Sequence, residues 1–217
     1  IDQIMNIVNI TLILTTIVTL FIFLFPESND LKYDLSIIKS SDLIEKYLRK
    51  YEDVIGDDLP GYRGHIYRVL TYTMHLLHHD DNFKDVIELS LVYHDIGLWT
   101  SKVLSYLEPS SELAKKDTRS LFTLEESELL FNCIYWHHKI TPFNGQHEKI
   151  VNAVRKADWI DATQGLVHYG MPRKYIKEVN DAIPNNGFHY TLLTIGSRYY
   201  GYDFIRIVKE LSSILKW

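Results

Sequence analysis

Four side chains in this sequence have the types and placement to hold a cation: His65, the adjacent pair His94-Asp95, and Asp158. Each falls on an apolar stripe of helical spacing. His94 continues the row through Ile87 and Leu91, and Asp95 continues the row through Leu91 and Val92. Both side chains therefore point toward a core, about 100° apart around the helix. Asp158 lies seven residues after Val151 and four after Val154, with a second carboxylate, Asp161, on nearly the same face. A carboxylate on a buried stripe is costly unless it is paired or bound to a cation. For Asp161, an ion pair with Arg68 or Lys102 is the simplest partner; for Asp158, a metal is. His65 opens a stripe continued by Val69 and Tyr72, with Arg68 three residues on. An isolated His-Asp pair or one histidine on an apolar face is an ordinary core feature. The four together make a metal site.

The other reactive residue types read more plainly. Cys133 is the only cysteine and lies in a helical pattern beside Ile134, so it is expected to be a small core residue. A single cysteine also excludes an intramolecular disulfide and suits a reducing compartment. His75 and His79 have a spacing that can bind metal on a helix, but the HHDD run beside them reads as a solvated helix end. His189 starts a late helix and could face the site. Arg68, Lys102, Lys139 and Lys156 are the cations available to an anionic ligand.

Positioning these residues takes helices. Ser41-Asp42 caps LIEKYLRKYE, and GDDLPGYRGH reads as a Gly- and Pro-rich loop. HIYRVLTYTMHLLHH follows as a helix, then DNFKDVIELSLVYHDIG, ended by Gly97. A short helix is expected over Ser111–Arg119. TLEESELLFNCIYWHH opens with Thr123 and Glu126 in capping-box spacing. A helix over Gln146–Gln164 carries the Asp158 stripe, another starts near Pro172, and a last pair covers Phe188–Tyr199 and Tyr202–Lys216. No convincing strand is present, so the predicted class is all-α.

The N-terminus differs in kind. Residues 4–25 form a 22-residue run without charge, long enough for the ~20 residues that cross a hydrocarbon core as a helix. Pro26 and the polar ESND run end it. It lacks a basic n-region and a small-residue cleavage site, so a transmembrane anchor is expected rather than a signal peptide. Lys32, Lys39, Lys46, Arg49 and Lys50 follow it, which places the rest of the chain in the cytoplasm. Residues 1–30 are thus read as anchor and linker and residues 31–217 as one helical domain. The hydrophobic fraction of 46% excludes a wholly disordered chain. A net charge of −5 with no long basic run argues against a nucleic-acid polymer as partner.

The order His, then His-Asp, then Asp resembles the HD-domain superfamily of metal-dependent phosphohydrolases. The motifs that carry it are GHIYRVL at 64–70, YHDIG at 93–97 and RKADWID at 155–161, within a likeness covering residues 59–217. HDIGLWTSKVLSYLEPS, HHKI, RKADWIDAT and NNGFH resemble one group of small HD proteins. The resemblance implies an HD-type helical bundle and one divalent ion (Mn, Fe, Co, Ni, Zn or Mg) held by His65, His94, Asp95 and Asp158. It implies hydrolysis of a nucleotide or another small phosphoester by a metal-activated water, with Asp95 also able to take a proton from that water. His137 and His138 end the capping-box helix. One of them, His138 by preference, is expected to reach the site as proton donor or phosphate contact. His137, Arg68, Lys102 and Lys156 are the further substrate contacts. HD relatives often place a Glu soon after His-Asp; here Gly97, Leu98 and Trp99 follow, which puts the nucleotidase mechanism in doubt. Two other functions fit less of the pattern. A diiron, oxygen-activating HD enzyme needs a second metal on His137, His138 or His147. A non-catalytic, membrane-tethered nucleotide-sensing module needs no reaction at all.

Overall fold

The computed structural model describes residues 36–215, and among these every regular element is a helix. The all-α expectation therefore holds. No helix among the described residues is long and apolar enough to cross a membrane. The run 4–25 expected to do so, and the connector after it, lie outside the described residues.

The chain enters through α1 (Asp42–Leu48), where Ser41 Oγ accepts from Ile44 N–H, as the sequence predicts. A single turn, α2 (Glu52–Ile55), leads to the first long helix, α3 (Leu59–Leu76). The stretch expected to be a loop here is instead a 3-10 turn (Gly56–Asp58) followed by the first two turns of α3, with Pro60 in the first turn. Its glycines serve close packing. A Cβ on Gly61 would lie 3.0 Å from Asn186 O and Phe188 N, and one on Gly64 would lie 2.9 Å from Pro184 O. Bare backbone at these positions lets α3 lie directly on the segment around 184–188.

Next come α4 (Lys84–Tyr93) and a one-turn helix, α5 (Gly97–Thr100), separated by the turn that carries His94 and Asp95. Gly97, expected as a C-terminal stop, begins α5. A Cβ there would sit 2.7 Å from Ser110 Oγ and 2.8 Å from Tyr106 O, so glycine again permits a close approach. Then follow α6 (Leu107–Thr118) and α7 (Leu124–Trp136), whose Thr123–Glu126 capping box forms as predicted. The later helices are α8 (Glu148–Ala162), α9 (Arg173–Ala182, entered through Pro172), α10 (Phe188–Tyr200) and α11 (Phe204–Leu215).

The most extensive helix–helix interface joins α3 to α8; α7 packs on α6, α4 and α8. The core between them is aliphatic and tyrosine-rich, with Ile66, Val69, Ile87, Leu91, Leu130 and Val154 fully buried. His65, His94, Asp95, His137, Asp158 and Asp161 are buried in the same interior. Each such charge costs several kcal/mol unless its partners compensate.

A buried candidate metal centre

Three imidazoles and two carboxylates converge where α3, the α4–α5 turn, the end of α7 and α8 meet. Each ring has its Nδ1 already engaged. His65 Nδ1 lies 2.7 Å from Asp161 Oδ2, His94 Nδ1 lies 2.6 Å from Leu91 O, and His137 Nδ1 lies 2.6 Å from Ile134 O. These oxygens can only accept, so each Nδ1 carries the proton. In the neutral rings Nε2 is then a bare lone pair. All three Nε2 atoms face inward. His65 Nε2 and His94 Nε2 stand 2.8 Å apart. Asp95 Oδ2 is 3.3 Å from His94 Nε2, Asp158 Oδ1 is 3.3 Å from His65 Nε2, and Asp95 Oδ1 is 3.3 Å from His137 Nε2.

Lone pairs and carboxylates at these distances repel unless something positive lies among them. Both Asp158 carboxylate oxygens and His137 Nε2 are buried without a hydrogen-bond partner. That is the condition a cation relieves, and imidazole nitrogens with carboxylate oxygens suit a first-row divalent ion. Rings whose other nitrogen donates to a carboxylate or a carbonyl are also oriented as metal ligands usually are. His65, His94 and Asp95 form one set of ligand atoms that an ion could bridge; His94, His137 and Asp158 form another, and Asp95, His137 and His138 a third.

The electrostatics follow from the same packing. Burial pushes His65 toward neutrality, but Asp158 and Asp161 outweigh it and hold the ring up at about 9. Burial dominates at His94, which is pushed down to about 4. His137 is raised, because Asp95 and Asp158 overcome its burial. Asp95 and Asp158 stay below the usual carboxylate range, since the surrounding histidines outweigh desolvation.

The surroundings hold the cluster in place. Tyr62 O–H donates to Val92 O at 2.9 Å, and Asp95 N–H donates to the Tyr62 oxygen at 3.3 Å, which clamps the His-Asp turn. Phe188 stacks on the His65 ring at 4.0 Å. Tyr106 O–H donates to Asp95 Oδ1 at 2.6 Å, and its oxygen lies 2.5 Å from His138 Nε2. With the tyrosine proton committed to Asp95, His138 must donate its Nε2–H to the Tyr106 oxygen. His138 Nδ1 is 3.2 Å from Asp158 Oδ2, and at 19% side-chain exposure His138 is the member of this cluster that reaches solvent.

His65, His94, Asp95 and Asp158 thus come together as expected, and His138 stands at the edge. His137, expected among the substrate contacts, lies inside with its free nitrogen toward Asp95. Arg68 is buried and fully engaged. Its Nε and second terminal nitrogen contact Asp161 at 2.6 and 2.9 Å, and the remaining terminal nitrogen donates to Pro184 O at 3.1 Å. This is the Arg68–Asp161 ion pair expected for Asp161, and it turns the guanidinium from substrate toward the support of His65. Lys102 is exposed on a turn residue with φ 53°, and Lys156 lines a cleft of about 1210 Å³ that includes no member of the cluster. Lys139, next to His138, is buried with its ammonium 4.9 Å from the Tyr135 ring.

Several plain readings also hold. Cys133 is buried, and burial pushes its thiol up to about 12. Trp99 is a core residue whose Nε1–H donates to Asp58 at 3.0 Å. His189 contacts Asp161 O at 2.7 Å, supporting that residue from behind. Tyr106 is the member that sequence reasoning missed. It lies within the HDIGLWTSKVLSYLEPS stretch, but no periodicity marks it as part of the site.

The fold and site define an all-helical protein with a buried His/Asp cluster able to hold a metal ion. No family model, no curated protein and no solved structure matches this chain.

Proposed function

We propose that this chain is an HD-type metal-dependent phosphohydrolase acting on a nucleotide or another small phosphoester. The observation that carries the reading is the convergence of three imidazole Nε2 atoms on Asp95 and Asp158, in the chain order His, His-Asp, Asp. By that resemblance one divalent ion would be held by His65, His94, Asp95 and Asp158, and His137 belongs to two of the overlapping ligand sets that could hold it. Such an ion lowers the pKa of a water and polarises a phosphoryl oxygen.

The protein's own groups divide the remaining work. His138, partly exposed, is the proposed donor of a proton to a leaving oxygen from its Nδ1, which stands beside Asp158, while Tyr106 fixes its ring through Nε2. Asp95 shares Oδ1 with the Tyr106 hydroxyl, leaving Oδ2 turned toward His65 and His94. Arg68 and Asp161 hold His65 in its Nδ1–H tautomer. Incubating the protein, loaded in turn with each divalent metal, with a panel of nucleotides and sugar phosphates tests this. Phosphate or nucleoside release is expected, and no release with any metal contradicts it. Residues 4–25 tether the domain to a membrane on its cytoplasmic side.

A second reading draws on one specific observation. Asp95, His137 and His138 form a further set of ligand atoms, overlapping the other two, that could hold an ion. A diiron, oxygen-activating enzyme follows from it, and two irons per chain with oxygen consumption distinguish it. His147, the other residue weighed for that metal, is paired with Glu125 at 2.8 Å.

A further inference from the structure

Seven of the twelve large apolar side chains exposed among the described residues fall between 190 and 211, on α10, α11 and the turn that joins them. Within α11, Phe204, Val208 and Leu211 follow the i, i+4, i+7 spacing of a single stripe. Their exposures are 71%, 47% and 41%, and Ile205 beside them reaches 81%. The inner row is spent on the domain itself. Ile214 is buried, and Ile207 packs where a Cβ on Gly196 of α10 would meet it at 3.4 Å. Leu193 on α10 and Tyr202 in the α10–α11 turn extend the exposed apolar surface. Arg206 and Lys209 lie on the remaining face of α11, with Arg206 bound to Glu210 at 3.1 Å.

We propose that this face of α10 and α11 lies on a lipid bilayer surface. The argument rests on the membrane tether read from residues 4–25. That run is uncharged, and only ten residues, 26–35, separate it from the described domain. Fully extended, ten residues reach no more than ~36 Å. A domain so held stays within reach of the headgroups, at a high local concentration of lipid surface for any face that can bind it. The α11 stripe has the composition for that place: aromatic and aliphatic side chains outward, with long cationic side chains on the flank that can snorkel to the phosphates. The tether segment is a poor cover for the stripe. It is 22 uncharged, mostly apolar residues long, and a stripe on a 12-residue helix is too short to cover it.

The test uses the full chain in vesicles of phosphatidylcholine and phosphatidylglycerol. Single cysteines at Leu193→Cys and Ile205→Cys carry an environment-sensitive fluorophore, with Lys174→Cys on α9 and Glu128→Cys on α7 as controls. Native Cys133 is buried and stays unlabelled. Blue-shifted emission at 193 and 205, largely lost when spin-labelled lipid is added, with neither change at 174 and 128, is the expected result. A chain that resists alkaline extraction while its 193 and 205 labels remain water-like keeps the tether and overturns the lipid-facing surface. A chain that does not sediment with vesicles overturns both. Blue-shifted labels that lipid does not quench, and that respond to protein concentration, assign the face to a second copy and overturn the proposal.

Discussion

Metal binding at this site must compete with a proton, and the competition has a definite size. In the metal-free protein His65 is held at about 9 by Asp158 and Asp161. At pH 7 it is therefore an imidazolium, with its Nε2 proton pointing at the place an ion must occupy. Removing that proton at pH 7, about two units below, costs about 3 kcal/mol. Apparent affinity should rise about tenfold per pH unit below 9, hence about 100-fold between pH 6 and 8. His137, also raised, steepens the dependence at the acid end. His94, pushed down to about 4, is neutral throughout this range and adds nothing. Titrating Mn²⁺ into chelator-stripped protein by calorimetry, in two buffers of different ionisation enthalpy, measures both affinity and protons released. About one proton per ion at pH 7 is expected. An affinity that is flat from pH 6 to 8, with no proton release, refutes the reasoning.

Three further outcomes follow from the same geometry. Stability of the metal-free protein should peak near pH 6.5, the ordinary histidine value. The raised His65 contributes stability that is present below 6.5 and lost as pH rises toward 9, whereas the depressed His94 contributes stability that is present above 6.5 and lost as pH falls toward 4. Urea unfolding across that range reads it, and a monotonic profile counts against it. Arg68→Met leaves Asp161 without its bidentate partner and should cost about 3–5 kcal/mol by denaturant unfolding; a loss under 1 kcal/mol would mean that the pair is dispensable. Tyr106→Phe removes the hydrogen bond to Asp95 and the anchor of His138. It should preserve metal content while lowering turnover of any phosphoester substrate by about 100-fold, the low end of the contribution of a positioned proton-transfer group, since His138 itself remains. Unchanged turnover would remove Tyr106 from the site.

Periodicity made the buried His/Asp cluster legible. Ile87, Leu91 and His94, like Val151, Val154 and Asp158, announce a buried polar group by placing it in an apolar row. Asp161 and Arg68 were legible for the same reason, since two carboxylates on one buried stripe demand cations. What was hidden depended on approach between distant segments. Gly61 and Gly64 look like loop residues until the backbone at 184–188 is seen against them. Gly97 looks like a helix stop until Tyr106 and Ser110 are found where its side chain would be. Tyr106 reaches Asp95 only through that contact, so nothing local marked it. The fates of Lys102 and Lys156 were equally hidden, because a lysine near a motif in sequence can point anywhere.

Metal content per chain, for the wild type and Asp158→Ala purified without chelator and reloaded with Mn, Fe, Co, Ni or Zn, tests the central claim most directly. One tightly held divalent ion in the wild type, lost in the variant while its helical circular dichroism persists, is the predicted result. No ion in the wild type under any loading condition would contradict it, and the cluster would then be a protonated histidine–carboxylate network.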